Sequence, residues 1–226
     1  MKTTFNLKAF KPLSFSLIIA LLLTISFTSC KKSTPVVTPS SALNAINAAI
    51  TSSPQDFYID AVKVNSAPLA YTQSTGYLTI DASHQLIWET SSTGVVNNSF
   101  TATFTPGQYN SVYYTDDGSV VTTIDDRTAP QVGKARVRFI NMSSYVNANV
   151  DFLIAGGGGT LVSNLPYKTA SSYNDVTATD AFTLNSTGTS NILLNIHAVL
   201  SVGKIYTIYI AGTTAATLTY NLVTEN

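Results

Sequence analysis

The sequence predicts an all-β protein with two tandem immunoglobulin-like or related β-sandwich domains after an N-terminal export segment. Charged residues make up 11% of the 226 residues, below the ~25% of an average globular domain. Threonine, serine, asparagine and tyrosine take their place, and β-branched and aromatic residues favour strands over helices. Short segments alternate between apolar and polar residues, as half-buried strands do. One order of segments also occurs twice along the chain, which indicates two copies of one domain.

Residues 1–29 have the order of a secretory signal peptide, in which a basic start precedes an apolar run and then small residues. Lys2, Lys8 and Lys11 supply the positive charge, and residues 13–27 supply the apolar run. This run is shorter than the ~20 residues that a bilayer-spanning helix needs. We therefore expect a signal peptide that is removed, rather than a transmembrane anchor.

Cys30 is the only cysteine of the chain, so a disulfide within the chain is excluded. The sequence Phe27-Thr28-Ser29-Cys30 resembles the lipobox of bacterial lipoproteins, with Phe27 where leucine is usual. The resemblance implies lipidation of Cys30, which would hold the protein on a membrane, since each buried CH₂ contributes ~0.8 kcal/mol. The alternative is an ordinary signal peptide followed by an unrelated cysteine. Residues 30–41 are polar and punctuated by proline, and they predict a lipidated flexible tether.

An internal repeat divides the rest of the chain. Leu43–Asn47 corresponds to Val137–Asn141, and Asp56–Ile59 corresponds to Asp151–Ile154. The offset between equivalent residues stays between 94 and 96 to the end of the chain. We therefore predict a first domain over 42–124, a linker over 125–133 and a second domain over 134–226.

The strands follow from period-two alternation. In the segment 136–140, Val137 and Phe139 point to one face, and the arginines are expected on the opposite, solvent face. The short basic run 134–138 is interpreted in the same way, rather than as a phosphate-binding site. Residues 42–50 have helical propensity, but their repeat partner reads as a strand. We predict a strand there, because propensity is weaker than tertiary context.

A recognisable pattern lies in Leu43–Asn47, Pro68–Tyr71 and Gly76–Leu78 and in the junction of residues 125–141. The junction is similar to that of tandem lipoproteins of the Bacteroidota type. By this pattern the chain resembles the domain-of-unknown-function 4397 family, a resemblance over nearly all of its mature part. It implies a location in the cell envelope and an immunoglobulin-like or related sandwich, without implying an activity or catalytic residues. Ser83-His84 stands where family members often have glycine.

Candidate metal and phosphate chemistry is sparse. His84, expected in a turn, and His197, expected at the end of a strand, have no partner at metal-ligand spacing, so we expect no metal and no cofactor. Gly156–Gly159 lacks the lysine of a phosphate-binding loop and predicts a hairpin turn. The aspartates lack the order of a calcium loop. Whether they bind calcium is left open for Asp116, Asp117, Asp125 and Asp126.

We expect no enzyme, because the sequence has neither a G-x-S-x-G motif nor a histidine suited to a catalytic triad. Without Lys2, Lys8 and Lys11, the 12 basic residues become nine against 12 acidic ones, which excludes a basic footprint for nucleic acid. The candidates for contact with a sugar or a protein are aromatic. They are Tyr113, Tyr114, Tyr206 and Tyr209, together with the single Trp88. The alternative is that these rings fill sheet faces.

The preferred hypothesis is a non-enzymatic lipoprotein of the cell envelope that acts as a binding, adhesion or structural module. The first alternative is a glycan-binding accessory lipoprotein, and the outside alternative is a hydrolytic enzyme. The expected partners are the membrane, through lipid on Cys30, and a glycan or an envelope protein. Lys31-Lys32 lacks the acidic run that resembles surface-export signals, which favours the periplasmic face of the outer membrane.

Overall fold

A computed structural model of the protein describes residues 40–81 and 83–226, which form strands, turns and loops. The expectations for the signal peptide, for Cys30 and for nearly all of the tether lie outside the described residues. Within the described ranges, no helix has the length and apolar character that crossing a membrane requires. The all-β prediction is confirmed.

The first sandwich is made of two four-stranded sheets. Its strands are β1 (Ser41–Asn47), β2 (Gln55–Ile59), β3 (Val62–Lys63), β4 (Ser74–Ile80), β5 (Ser83–Thr90), β6 (Val95–Thr103), β7 (Tyr109–Tyr114) and β8 (Val120–Asp125). One sheet has the order β4-β1-β7-β8, and we call it the first inner sheet. The other has the order β3-β2-β5-β6, and we call it the first outer sheet.

The second sandwich repeats this plan. Its strands are β9 (Ala135–Asn141), β10 (Val150–Ile154), β11 (Thr160–Leu165), β12 (Asn174–Val176), β13 (Phe182–Ser186), β14 (Ile192–Ile196), β15 (Ile205–Ala211) and β16 (Thr219–Thr224). The second inner sheet has the order β12-β9-β15-β16, and the second outer sheet has the order β11-β10-β13-β14. In both inner sheets the first and seventh strands of the copy pair in parallel. The equal topology of the two halves agrees with the internal repeat.

Each sandwich has a core between its inner and outer sheets. In the first, Phe57 and Trp88 are fully buried, with ring centroids 4.7 Å apart. In the second, Phe139 and Phe152 stack at 4.3 Å, and Val137 lies in the same cluster. The alternation of the sequence therefore assigns these residues to the correct face.

A third apolar cluster joins the two inner sheets. The first copy contributes Ile46, Ala48, Tyr113 and Val121, and the second contributes Ile140, Met142, Tyr209 and Ala211. The central strands of both inner sheets are consequently buried on both faces. The two sandwiches thus form a stack of four sheets, in the order outer, inner, inner, outer.

Three outcomes follow for the sequence-based expectations. Residues 41–47 form β1, so the strand predicted from the repeat is confirmed against the local helical propensity. The expectation of solvent-facing arginines is wrong for Arg138, which is buried because the first sandwich covers that face of β9. Asp125, placed by the sequence in the linker, is the last residue of β8.

Candidate functional site

A buried ionic centre, made of Arg138, Asp125 and Glu225, lies at the junction of the two sandwiches. Arg138 comes from β9, Asp125 ends β8, and Glu225 follows β16. The side chain of Arg138 is 2% exposed, and both carboxylates are 0% exposed. One guanidinium nitrogen, Nη2, pairs with Asp125 and lies 3.1 Å from Oε1 of Glu225. One cation therefore links two acids that belong to different sandwiches.

Each guanidinium nitrogen of Arg138 also donates a hydrogen bond to a hydroxyl or carbonyl oxygen. Its Nε donates to Oγ1 of Thr207 at 2.6 Å, within the second sandwich. Its Nη1 donates to the carbonyl of Ile124 at 2.9 Å, and its Nη2 donates to Oγ1 of Thr123 at 2.9 Å, both in the first sandwich. A buried charge is tolerated when it is paired and hydrogen-bonded in this way. The guanidinium thus connects β9 to the end of β8.

Each acid also has a tyrosine and a hydroxyl partner from its own copy. In the first copy, the hydroxyl of Tyr77 donates to Oδ2 of Asp125 at 2.7 Å, and Ser111 donates to the same atom at 2.6 Å. Both donors lie in the first inner sheet, on β4 and β7. The carboxylate is therefore held by groups that the repeat places together.

The second copy has the same arrangement at equivalent positions. The hydroxyl of Tyr173 donates to Oε2 of Glu225 at 2.6 Å, and Thr207 donates to Oε1. Duplication has thus preserved a tyrosine, an acid and a hydroxyl in each copy. The second copy adds Arg138, which occupies the strand position that Asn44 occupies in the first copy.

The charges of the centre shift the pKa values of its members. Burial raises the pKa of Glu225, against the opposing effect of the Arg138 guanidinium. Burial and the neighbouring Asp125 raise the pKa of Tyr77. Although burial opposes its charge, the pKa of Arg138 lies above its ordinary value because Tyr113 and the two acids surround it. The arrangement holds one guanidinium and two carboxyl groups together inside the junction.

A cleft of about 350 Å³ opens beside the centre, between β4 and residues 222–226. Asn44 lines it, and among the described residues Oδ1 of Asn44 has no hydrogen-bond partner although the residue is buried. The guanidinium of Arg127 lies 4.3 Å from the ring centroid of Tyr109 and 5.5 Å from that of Tyr77. This cleft, which we call the junction cleft, is polar and carries a cation held on aromatic rings.

His84 forms a second charged cluster at the edge of the first sandwich. It was expected in a turn but lies in β5, so that expectation is wrong. Its Nδ1 is 2.6 Å from Oδ2 of Asp60, and its Nε2 is 2.7 Å from Oδ1 of Asp81. The hydrogen bond with Asp60 is the largest effect that raises the pKa of His84. His197 follows β14 directly and is exposed, as its expected place at a strand end requires.

The four aspartates considered for calcium are held by separate groups of the protein. Asp125 belongs to the ionic centre, and Asp126 pairs with an arginine at 2.7 Å. Asp116 accepts two hydrogen bonds from one threonine of the β1–β2 loop, and Asp117 pairs with Lys168. Among residues 40–81 and 83–226, no group of three or more His, Cys, Asp or Glu has the arrangement of a metal site.

The tyrosines proposed for surface contact are buried, so that proposal is wrong for all four. Tyr113, Tyr114, Tyr206 and Tyr209 are between 0% and 7% exposed. Trp88 is likewise inside the first core. Tyr113 and Tyr209 meet in the junction with ring centroids 5.9 Å apart, and burial raises the pKa of Tyr113 to about 12. These rings pack on the faces of the sheets, which was the alternative that the sequence left open.

Sequence reasoning missed Arg138, Glu225 and Asn44 as members of a site. A usable signal was an acid at the end of each copy, because Asp125 is the last residue of β8 and Glu225 directly follows β16. The repeat also pairs Tyr77 with Tyr173. Gly156–Gly159 forms the turn between the antiparallel β10 and β11, so the predicted hairpin is confirmed.

Comparison with known proteins gives one family match. The model of a family described as "Domain of unknown function (DUF4397)" matches residues 41–153. A comparison with curated proteins found no match.

Among solved structures, the carbohydrate-binding module CBMbc of family CBM26, from Eubacterium rectale Amy13K in complex with maltoheptaose, is 13% identical. That alignment covers 81% of this chain and 96% of the module, with a TM-score of 0.26. The family 41 carbohydrate-binding modules from streptococcal virulence factors are 10% identical, over 77% of this chain and 95% of theirs, with a TM-score of 0.25.

Proposed function

The chain belongs to the family of domain of unknown function 4397, and from this premise we propose that it is a non-enzymatic lipoprotein of the cell envelope. In this proposal its two sandwiches act together as one rigid binding module. The lipid on Cys30 anchors the module, and residues 30–41 serve as its tether.

The ionic centre is the observation that supports the rigid module within this proposal. Arg138 of the second sandwich pairs with Asp125 of the first and with Glu225 of its own. Separating the sandwiches would break the pair of Arg138 with Asp125 and would expose Arg138, which the first sandwich covers. The third apolar cluster adds buried area to the same junction. The two outer sheets and the junction cleft are therefore held at constant spacing, which lowers the entropic cost of binding a ligand.

The use of the titratable groups supports a non-enzymatic role. Asp125 and Glu225 are fully buried and bonded to tyrosine, hydroxyl and guanidinium donors. His84 has a carboxylate oxygen within 2.7 Å of each ring nitrogen. General acid–base catalysis needs a group that reaches the proton of a substrate, and these groups are engaged with one another.

A single alignment measurement tests the rigid module. We expect residual dipolar couplings from the two sandwiches of the folded protein to fit one common alignment tensor. Two different tensors would mean that the sandwiches reorient independently, and the rigid module would then be wrong. Turnover of a substrate that a single substitution abolishes would contradict the non-enzymatic part.

The anchor is tested separately in cells. We expect the wild-type protein to incorporate labelled palmitate and to partition into detergent, and Cys30→Ala to do neither. For the periplasmic face of the outer membrane, we expect protease added to intact cells to leave the protein whole, and lysis to allow digestion. Digestion on intact cells would instead place the protein on the cell surface, and membrane retention of Cys30→Ala would refute the anchor.

A glycan-binding accessory role is the narrower form of this proposal. The tyrosines named for it from the sequence are buried and cannot stack on a sugar. A different surface supports it, on the second outer sheet.

A further inference from the structure

A groove of about 500 Å³ lies on the solvent-facing side of the second outer sheet. Its volume falls within the ~300–1,000 Å³ of small-molecule sites. The floor is made by the adjacent strands β10 and β13, where Asp151 pairs with Asn185 and Leu153 pairs with Thr183. The residues that alternate with these four belong to the core of the sandwich. The four side chains therefore stand side by side on the outer face, and we call this surface the outer groove.

The polar floor is buried although it faces away from the core. Asn185 is 3% exposed and Thr183 is 8% exposed. Among the described residues, Oδ1 of Asn185 has no hydrogen-bond partner. An unsatisfied buried polar group costs ~1–3 kcal/mol. A ligand that donates a hydrogen bond to this oxygen removes that cost, and its binding free energy becomes more favourable. The groove thus contains a buried acceptor without a partner in the part of the chain that the structure describes.

The carboxylate of Asp151 is occupied by the protein. Its Oδ1 accepts from the backbone of Asn164 at 2.7 Å and from Oγ1 of Thr187 at 3.1 Å. Its Oδ2 accepts from the backbone of Gly188 at 2.9 Å. These bonds fix the turn that follows β13. Asp151 therefore shapes one end of the groove.

Two turns close the ends of the groove. The turn 155–159 borders the end near Leu153, and the turn 187–190 borders the end near Asp151. Gly158 packs directly on Ile154, because a Cβ at that position would lie 2.5 Å from the Ile154 side chain. A residue with a side chain cannot lie so flat on the strand. The walls are consequently low, rich in backbone and without bulky side chains.

The first copy provides an internal comparison. The positions of Leu153, Thr183 and Asn185 hold Tyr58, Ile87 and Glu89 in the first outer sheet. In the first outer sheet, Nζ of Lys63 lies 2.8 Å from Oδ1 of Asp56, the residue equivalent to Asp151. The turn between β2 and β3 has only two residues. The uncharged polar pair Thr183 and Asn185 and the long glycine turn are thus features of the second copy.

We propose that the outer groove binds a neutral oligosaccharide through Asn185 and Thr183, an inference that rests on the module proposed above and names its ligand. Among the described residues that line the groove, Asp151 is the only charged one, and its oxygens are occupied. These residues therefore offer no basic side chain that could pair with an anionic ligand. The amide and hydroxyl match sugar hydroxyls, while Leu153 and Ile192 offer apolar surface to the C–H face of a sugar ring.

Titration of the full-length protein in detergent micelles tests the proposal. The probes are cellohexaose, xylohexaose, mannohexaose and maltohexaose, with a tetra-alanine peptide as the comparison ligand. Binding is followed by calorimetry and by the nuclear magnetic resonance signals of the Asn185 side-chain amide. We expect at least one saccharide to shift the Asn185 amide saturably, and Asn185→Leu to weaken its affinity by about tenfold or more.

Two further variants keep the test decisive. Thr183→Val preserves shape and removes one hydroxyl, so it should weaken binding even if Asn185→Leu fails to fold. Glu89→Leu changes the equivalent position of the first copy and should leave affinity unchanged. The proposal is overturned if no saccharide moves the Asn185 amide, if affinity survives both groove substitutions, or if only tetra-alanine binds. The dipolar-coupling and fractionation results do not depend on this groove, so its failure would leave the proposed function standing.

Discussion

Arg138 shows how one residue can depend on a neighbour that is distant in sequence. Its side chain crosses the junction and contacts Thr123, Ile124 and Asp125 of the first sandwich. Strand alternation places it correctly on the face away from its own core. That face is buried against the first sandwich. Alternation within one strand does not show whether another domain packs on its outer face. The sequence therefore predicts the direction of the side chain but not its burial.

We predict that Arg138→Met destabilises the protein strongly. The substitution leaves Asp125 and Glu225 buried without their cation, and breaking a buried pair in this way costs ~3–5 kcal/mol. The measurement is the shift of the urea midpoint, relative to the wild-type protein, followed by far-ultraviolet circular dichroism. Arg136→Met is the matched control on the same strand, because the pair of Arg136 with Asp126 is partly exposed and surface pairs contribute ~0–1 kcal/mol. Equal losses for the two variants would contradict a special role for Arg138.

We also predict a pH-dependent contribution from His84. The hydrogen bond with Asp60 and the charges of Asp60 and Asp81 raise its pKa above the ordinary value of 6.5. Because the folded state holds the proton more tightly, this contribution is fully present below pH 6.5 and is lost as the pH rises through the raised pKa. The difference in unfolding free energy between wild type and His84→Gln should therefore shrink with increasing pH.

The control for His84 is the same comparison in a background that carries Asp60→Asn and Asp81→Asn. Without the two carboxylates, the substitution of His84 should have a much weaker dependence on pH. An undiminished dependence in that background would show that other groups cause it. The measurements belong above pH ~5, where carboxylates are ionised.

At the scale of strands, β1 illustrates what local sequence can and cannot predict. Residues 42–50 carry alanine, leucine and isoleucine with little alternation, which suggests a helix. The strand is buried on both faces, one against the first core and one against the junction, and such strands lose their alternation. The repeat corrects the assignment, because its partner β9 keeps Arg136 and Arg138 between apolar residues. Comparison of the two copies was thus more informative than propensity.

Gly212, which follows β15, gives a prediction at this scale. Its φ is +125°, and a Cβ there would lie 2.6 Å from the carbonyl oxygen of Thr217 and 2.8 Å from Cα of Leu218. We expect Gly212→Ala to cost ~3 kcal/mol or more, because backbone strain and a clash with main-chain atoms add together. Thermal unfolding followed by circular dichroism measures the effect.

Gly203, which precedes the same strand, is the matched control. Its φ is +82°, and nothing lies within 4 Å of the Cβ position. Gly203→Ala should therefore cost only the ~1–2 kcal/mol of a left-handed conformation. If the two substitutions lower the melting temperature equally, the close approach at Gly212 does not contribute to the loss of stability.

At the scale of the whole molecule, two copies of one sandwich have become a four-sheet stack. The sequence reveals the duplication and the sandwich, since both leave periodic patterns. The contact between inner sheets leaves a weaker trace, namely aromatic and apolar residues on faces that a lone sandwich would expose, such as Tyr113, Tyr209 and Ile140. From the sequence alone, these tyrosines are also compatible with a ligand surface. Only the packing of the two copies distinguishes the two uses.

The junction leads to a prediction about cooperativity. Trp88, the only tryptophan, is buried in the first sandwich, so its fluorescence reports on that half, whereas far-ultraviolet circular dichroism reports on both halves. If the ionic centre and the third apolar cluster couple the halves, the two signals should give one common midpoint in urea, as two-state unfolding requires.

Arg138→Met weakens the coupling while it leaves the core around Trp88 unchanged. In this variant we expect the fluorescence and dichroism transitions to separate, because each sandwich then unfolds with its own stability. The melting of independent domains gives distinct transitions in general. Separate midpoints already in the wild-type protein would show that the junction does not couple the halves. The rigid module would then lose its energetic basis, since a fixed spacing between the outer sheets requires that neither half reorients or unfolds alone.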